Sequence, residues 1–497
     1  MKKVIASVVV LALLLVCAPW GMGRIAESRV NSALDKAVQE APYIKIAERK
    51  WIHGWFHSEQ TVTFEFVLPK LPGAPKPVAA FADAAAPTAE APAVPQLPRA
   101  LPSLPAGPIR FTVHNDVTHG PVLGSSGIGL ARLDTKLVVS DAIRKKIEEI
   151  AGPGDIVRIT TRMGFFGGGT TTFSGKGRSI DLAKFGKAGQ KGTIAWDDFN
   201  LVAGIGRNAG SYELQGRQPR VEVSEGEGGD HFLMTNLTLD GSGSRVTKDL
   251  YDGGVVLGVG KVSATTTRAP AFEMQTIKYG VNSSKQGEFM DYSLELGTGA
   301  INAAQLQAQG FQIKEMHYDM TVRHLHIDTL QKLMEGLKAV SAKGFDGSGA
   351  NAAEMQAAIM QPLKEQGIEL VKHDPELSLD RIGLVTADGE GVIKGLVKLE
   401  GVTEQDLTAG IMAIIPKIDA DVTVEIAEAL ANKIPSAAPM LAMGVAQGFL
   451  KKENGKLVSH IEFKHSGLTV NGKLPLPGGL PFGRGAANPS PSAPPAQ

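Results

Sequence analysis

The sequence is poor in cysteine: Cys17 is the single one in 497 residues. A chain with one cysteine cannot form an intrachain disulfide, and it cannot build a metal site from several thiolates. Cys17 also lies inside an N-terminal apolar stretch, so the rest of the chain has no cysteine nucleophile. We therefore expect stability to come from packing and strand pairing.

Net charge and aromatic side chains are also scarce. Lys+Arg and Asp+Glu total 51 each, which makes the formal net charge zero, and aromatic residues make up 6% of the chain. Nucleic-acid-binding proteins usually have a basic face, so the charge balance argues against nucleic acid as a partner. Glycine (58) and proline (29) are abundant, which favours many turns and thin sheets.

Residues 1–23 predict a transmembrane signal anchor. Lys2 and Lys3 form a basic start, and Val4–Met22 carries no charged residue. As a helix rising about 1.5 Å per residue, this stretch would reach roughly 28 Å, close to the thickness of a bilayer core. Basic residues before such a segment keep the N-terminus inside. We expect a single-pass protein of a bacterial inner membrane with its bulk in the periplasm.

Two other interpretations of this segment stay open. Cleavage as a signal peptide needs small residues at the cleavage site, and Gly21-Met22-Gly23 matches that pattern weakly. A lipoprotein would use Leu14-Leu15-Val16-Cys17, in which Val16 is larger than the residue expected before the modified cysteine. Because both signals are defective, the retained anchor is the favoured interpretation.

Alternation of apolar and polar residues dominates the rest of the chain. One such run is Met316, Tyr318, Met320 and Val322. Asp388-Gly389 is a typical hairpin turn, and the composition at 328–343 and 351–371 favours helices. The pattern predicts a β-dominated α+β fold, a long twisted antiparallel sheet with several packed helices.

The composition divides the chain into segments. After the anchor we predict a membrane-proximal helix and first strand (24–70), an Ala/Pro-rich disordered insertion (71–108), a periplasmic β-rich body with helices (109–474) and a Pro-rich disordered tail (475–497). Proline removes backbone donors, and an Ala/Pro-rich segment has little apolar surface to bury.

Several local patterns occur in a characteristic order. They are the basic start with its single apolar span, Arg24-Ile25-Ala26-Glu27, Gly54-Trp55-Phe56-His57-Ser58, Thr118-His119-Gly120-Pro121, Ile159-Thr160-Thr161-Arg162-Met163-Gly164 and Leu468-Thr469-Val470-Asn471-Gly472. In this order they resemble the bacterial YdgA-like family of uncharacterised envelope proteins. The long Ala/Pro insertion after the first strand departs from that pattern. The resemblance implies an inner-membrane-anchored periplasmic protein that self-associates, with no established activity.

His119-Gly120-Pro121 is the sharpest candidate motif. In a functional interpretation His119 is a general base or a ligand, as in a hydrolase. In a structural interpretation the motif is a turn, in which Gly120 supplies unusual backbone angles and Pro121 fixes the exit. The sequence places no second catalytic group, so the turn is favoured and no catalytic residue is assigned.

Two further groups are candidates. His324 and His326 alternate on a predicted strand, so their imidazoles could share a metal, but Leu325 then marks the buried face and leaves both in water. We expect neither metal nor cofactor. Trp51, Trp55 and Phe56 concentrate aromatic surface and predict either an interface with the bilayer or a partner, or a staple of the first strand.

Three hypotheses for function follow. The favoured one is a non-enzymatic anchored scaffold or binding protein in envelope maintenance. The second is a lipid-binding or lipid-transfer protein with an apolar groove along its sheet, which helices sealing the Met316–Val322 run would rule out. The third is a hydrolase using His119. The expected partners are the inner membrane through residues 4–22, a second copy of the chain, and a lipid or envelope protein.

Overall fold

The computed structural model describes residues 2–41, 44–66, 109–139, 141–184, 191–226, 228–267, 270–344, 352–409, 411–433, 437–464 and 466–473, with some side chains, those of residues 2–18 among them, outside the description. These residues form two compact units. Unit 1 consists of Met1–Thr267 and Asp328–Gly367, and unit 2 of Arg268–Ile327 and Ile368–Gln497.

The predicted class is confirmed: strands dominate, and their pairings are antiparallel. The range predicted as one body, 109–474, is divided between the two units. The predicted insertion at 71–108 and the predicted tail at 475–497 lie outside the described residues.

The helices are few beside the strands. In chain order they are α1 (Lys2–Glu40), α2 (Asp141–Ala151), α3 (Ala304–Ala308), α4 (Ile327–Gly344), α5 (Ala352–Val371), α6 (Glu404–Ala409), α7 (Ile411–Ile414), α8 (Glu428–Asn432) and α9 (Ala438–Gln447). The helices predicted at 328–343 and 351–371 are confirmed as α4 and α5.

Unit 1 contains one antiparallel sheet. Its neighbouring strands are β1 (Ile44–Ile52), β2 (His57–Phe66), β3 (Ile109–His119), β4 (Ala131–Val138), β5 (Arg158–Met163), β6 (Gly169–Gly175), β9 (Phe199–Ile205), β10 (Ser211–Ser224), β11 (His231–Arg245) and β12 (Tyr251–Thr265), with β7 (Arg178–Asp181) and β8 (Thr193–Trp196) beside the end of β10.

The second half of α1 packs on this sheet. Ala26 and Val30, spaced one turn apart, are buried against Val117, Leu130 and Leu133 of the β3–β4 region. Apolar residues at this spacing form one stripe of a helix. The stripe makes α1 part of the core of unit 1.

The predicted transmembrane helix is not confirmed. The N-terminal segment is helical, but α1 continues without interruption through Arg24, Glu27 and Arg29 to Glu40. Among the described residues, no helix is both long and apolar enough to cross a membrane. The described side chains of α1 start at Pro19 and belong to its charged, sheet-packed half.

Unit 2 contains a second antiparallel arrangement of strands. Its neighbouring strands are β13 (Phe272–Gln286), β14 (Phe289–Thr298), β16 (Ile313–His326), β17 (Glu376–Thr386), β18 (Gly389–Leu399), β19 (Ile418–Ala427), β21 (Lys456–Lys464) and β22 (Gly467–Val470), with the short strands β15 (Ile301–Ala303) and β20 (Lys451–Glu453) at their ends. The predicted hairpin turn at Asp388-Gly389 joins β17 to β18.

Candidate functional site

The sheet of unit 2 presents a continuous apolar face. Directly paired residues of antiparallel strands point to the same side, so the strand register defines the rows of this face. One row is Tyr279, Leu296, Tyr318, Ile382, Ile393 and Val424, and the next is Val281, Leu294, Met320, Leu379, Gly395, Val422, Ile461 and Val470. We call these residues the apolar face of unit 2.

A bulge keeps the apolar face continuous across β17. Leu379 and Ile382 are three residues apart, a spacing that would put them on opposite sides of a regular strand. The register shifts between them, so that both pair with residues of the apolar face on β16 and β18. A bulge that inserts residues in this way re-aims side chains, and here it preserves an uninterrupted row.

The apolar face is open on strands β13, β14 and β16. There Tyr279, Leu296 and Tyr318 are 45%, 40% and 41% exposed, whereas Met320 is half-buried and Val470, at the other margin, is buried. Helix α8 covers one margin, where Leu430 lies over Gly391. In the described part of unit 2 the alternating run predicted at 316–322 is therefore not sealed under helices, which was the condition that would have excluded a groove.

The opposite face of the same sheet is charged. Ion pairs there join Lys398 to Glu376 at 2.8 Å and Lys456 to Glu425 at 2.7 Å, and Lys278 pairs with Glu295. Antiparallel sheets commonly have one solvated and one packed face. Charged and apolar side chains therefore lie on opposite faces of this sheet, and the apolar face is the side to which an apolar partner would bind.

Unit 1 repeats the pattern on a smaller scale. Paired positions across β6, β9, β10, β11 and β12 form the row Phe173, Leu201, Gly216, Leu239 and Leu257. Leu257 is 37% exposed and Gly216 is buried. The other members of this row are partly buried, so the apolar row of unit 1 is exposed at Leu257 and is otherwise more covered than the apolar face of unit 2.

His119 is buried where α1 meets β3. Its Nδ1 lies 2.8 Å from the carbonyl oxygen of Pro19, and its Nε2 lies 3.0 Å from Ser58 Oγ. A carbonyl can only accept, so Nδ1 carries the proton and Nε2 accepts from the Ser58 hydroxyl. Burial lowers the pKa of His119 below its usual value, against the smaller opposing effect of the hydrogen bond to Pro19. The ring is therefore held neutral.

Polar side chains continue from His119 beneath α1. Asn115 Nδ2 donates to Gln60 Oε1 at 2.8 Å, Thr135 Oγ1 donates to Asn115 Oδ1 at 2.6 Å, and Gln60 Nε2 donates to Asn31 of α1 at 3.4 Å. Sequence reasoning missed this network, because its members lie on four separate elements. Buried polar groups that satisfy one another fix a single arrangement of the elements they join.

The Ser58–His119 pair has the donor order of a serine nucleophile and its base. The third position is the Pro19 carbonyl rather than a carboxylate. Ser58 is 3% and His119 1% exposed, so no substrate reaches either atom in this structure. Gly120 adopts φ +126°, a backbone conformation that favours glycine. A Cβ at this position would lie 3.4 Å from Cβ of Pro19. His119 thus packs α1 on the sheet, a role that neither interpretation of the motif predicted.

His324 and His326 lie in unit 2 beside Phe289. The ring of His324 stacks on Phe289 with centroids 3.8 Å apart, and His326 stacks on His373 at 4.1 Å. His324 has φ +65° at a register shift, so regular alternation does not describe the pair. Burial, followed by the charge of His326, lowers the pKa of His373. Sequence reasoning could not find His373, which lies on a distant segment.

Potential metal ligands converge elsewhere. Of the described residues, Asp421, His460 and Glu462 form the group whose ligand atoms lie within 4.8 Å of one another, on the charged face of unit 2. His460 Nε2 is 2.9 Å from Asp421 Oδ1, with both side chains about half exposed. His460 and Asp421 thus form a hydrogen-bonded pair at the surface, and Glu462 Oε2 accepts from Thr469 Oγ1 at 3.4 Å. His324 and His326 belong to no such group.

The aromatic candidates separate into two sets. Trp51 packs against the core beneath α1, which fits the staple interpretation. Trp55 and Phe56 lie on the turn between β1 and β2 and are 47% and 53% exposed. They are therefore available for an interface, whereas Trp51 is not.

No curated protein and no solved structure matches the chain. A family model described as "Bacterial protein of unknown function (DUF945)" matches residues 1–477. Because the match covers nearly the whole sequence, both units included, the chain belongs to this bacterial family of unknown function.

Proposed function

We propose that this protein is a membrane-attached, non-enzymatic binding protein that holds the acyl chain of a lipid on the apolar face of unit 2. The observation that carries the proposal is the exposed row through Tyr279, Leu296 and Tyr318. Eight strands spaced about 4.8 Å apart give the face a width of roughly 34 Å. An acyl chain laid across it would remove apolar surface from water on both partners.

The location in this proposal derives from the sequence. The basic start and the uncharged stretch Val4–Met22 favour attachment to a bacterial inner membrane with both units in the periplasm. The resemblance to the YdgA-like family favours the same location and a role in envelope maintenance. A protein at that site would meet phospholipid directly.

Photocrosslinking on the two faces tests the proposal. The photoreactive residue benzoylphenylalanine replaces Tyr279 on the apolar face or, as the matched control, its neighbour Lys278 on the charged face. The full chain is irradiated in vesicles of phosphatidylethanolamine and phosphatidylglycerol. We expect phospholipid adducts from position 279 and none from position 278.

The alternatives give different products. Equal adducts at both positions would mean non-specific contact and would refute the proposal. Adducts between two copies of the chain at position 279 would instead assign the apolar face to self-association. A hydrolase using His119 is not proposed, because Ser58 and His119 are both buried.

A further inference from the structure

We propose that one end of unit 1 rests on the lipid headgroup region of the bilayer. This end, called here the turn end, consists of the turns at 53–56, 120–130, 164–168 and 206–210. The inference rests on the membrane attachment in the proposed function and adds a surface that attachment by the N-terminal segment alone does not require.

The strand register places these turns together. His57, at the start of β2, pairs with Thr118 near the end of β3. Ala131, at the start of β4, pairs with both His119 and Met163, and Gly169 at the start of β6 pairs with Met163 and Ile205. Each of the four turns therefore projects from the same end of neighbouring strands.

Large apolar side chains are exposed at the tips of these turns. Besides Trp55 and Phe56, Phe166 is 79% exposed, and Val122 and Ile128, which pair across their loop, are 68% and 66% exposed. Such side chains are costly in water but favourable at a membrane surface, where aromatic residues concentrate. Three separate turns thus expose large apolar side chains at the same end of unit 1.

Hydrogen bonds hold the tips in place. The His119 N–H donates to Phe56 O at 2.9 Å, Arg162 Nη2 donates to Ile128 O at 2.7 Å, and Arg29 of α1 donates to Gly164 O and Phe165 O at 3.0 Å. A preorganised surface loses little conformational entropy on binding. The apolar tips are therefore presented by the fold rather than by loose loops.

Helix α1 leaves the sheet at this end. The Pro19 carbonyl contacts His119, the last residue of β3, and Ala26 and Val30 lie farther along the sheet. Most of the uncharged stretch Val4–Met22 precedes that contact in the same helix. The segment expected to enter the membrane and the apolar tips thus share one end of unit 1.

Charge is compatible with the same orientation. None of the four turns contains Asp or Glu, and Arg207 lies in one of them. The turn at 246–250 between β11 and β12 projects from the same end and contains Lys248 and Asp249, and Asp249 forms an ion pair with Lys338. An end with no excess of acidic side chains does not repel an anionic bilayer surface.

Depth-dependent quenching of tryptophan tests the inference on the full chain. Variants keep one of the four native tryptophans, Trp20, Trp51, Trp55 and Trp196, the others being changed to Phe. In vesicles of phosphatidylethanolamine and phosphatidylglycerol with brominated acyl chains, we expect Trp55 to be quenched about twofold more than Trp196. Trp196 is the matched control, since β8 pairs with the far end of β10.

A second reporter, a nitroxide attached to I128C in a C17A background, makes the test independent of the tryptophan variants, because this chain retains every tryptophan. Replacing Trp51 could disturb the core, so far-ultraviolet circular dichroism checks the fold of each tryptophan variant. One result would overturn this inference and leave attachment intact: Trp20 is quenched, Trp55 is not quenched, and the nitroxide at position 128 stays exposed to water. An unquenched Trp55 shielded from acrylamide would assign the turn end to a protein. An unquenched Trp20 would overturn attachment and this inference together.

Discussion

At the scale of single residues, His119 shows how a motif typical of catalysis serves packing. Its two ring nitrogens bond Pro19 of α1 and Ser58 of β2, so one side chain joins three elements. The neutral form is required, because a protonated Nε2 could no longer accept from the Ser58 hydroxyl. This arrangement predicts a dependence of stability on pH.

We expect the free energy of unfolding to fall as the pH falls below about 6.5, the usual pKa of histidine in an unfolded chain. Burial lowers the pKa of His119 in the folded state, so the unfolded chain takes up the proton first and acid favours unfolding. Urea denaturation at pH 7.5 and 5.5 measures the difference. The variant His119→Gln should be less stable at pH 7.5 by about 1–3 kcal/mol but lose less on acidification.

His373 provides the control for that experiment. Its pKa is also lowered, first by burial and then by His326, so acid should weaken unit 2 in the native chain and in His119→Gln alike. If acidification lowered the free energy of unfolding equally in both chains, the pKa of His119 would not differ between the folded and the unfolded state.

At the scale of elements, the close approach of α1 to the sheet depends on Gly23. A Cβ at this position would lie 2.8–3.0 Å from the imidazole of His119. We expect Gly23→Ala to push helix and sheet apart and to cost about 1–3 kcal/mol of stability. Thermal unfolding followed by circular dichroism measures it.

Gly21→Ala is the matched control, because nothing lies within 4 Å of a Cβ there. Alanine favours a helix over glycine by about 1 kcal/mol, so this variant should be neutral or more stable. Similar losses from both substitutions would contradict the packing role of Gly23.

The sequence predicted elements whose signals are local. Helices α4 and α5 were predicted at 328–343 and 351–371, because their residues favour a helix by themselves. β1 was missed because its exposed edge carries charges and a register shift between Ile46 and Glu48, which interrupt the alternation. The Ser58–His119 contact was missed because it joins residues 61 apart in sequence.

At the scale of the whole molecule, alternation predicted which residues share a face but not whether that face is covered. Cover depends on where the helices pack, and periodicity does not determine that. The chain has no net charge and one cysteine, so neither long-range charge nor disulfides offset the exposure of the apolar row through Tyr279, Leu296 and Tyr318. Occupancy by an amphiphile would supply the missing burial.

If an amphiphile occupies the apolar face of unit 2, adding one should stabilise the folded protein. A ligand that binds only the folded state adds about 2.7 kcal/mol to the free energy of unfolding at a concentration of one hundred times Kd. We expect a lysophospholipid below its critical micelle concentration to raise the melting temperature of the full chain. Leu296→Lys, which puts a charge in the exposed row, should abolish that rise, because an acyl chain cannot solvate the ammonium group.

The matched control is Ser293→Lys, on the charged face of the same strand β14. Leu296 is 40% exposed, so lysine there can reach solvent and the variant should fold. A lipid-induced rise that survives Leu296→Lys but disappears with Ser293→Lys would place the ligand on the wrong face. Loss of the rise in Leu296→Lys alone would tie the stabilisation to the apolar row, because the two variants differ in the face that receives the charge and not in the charge itself.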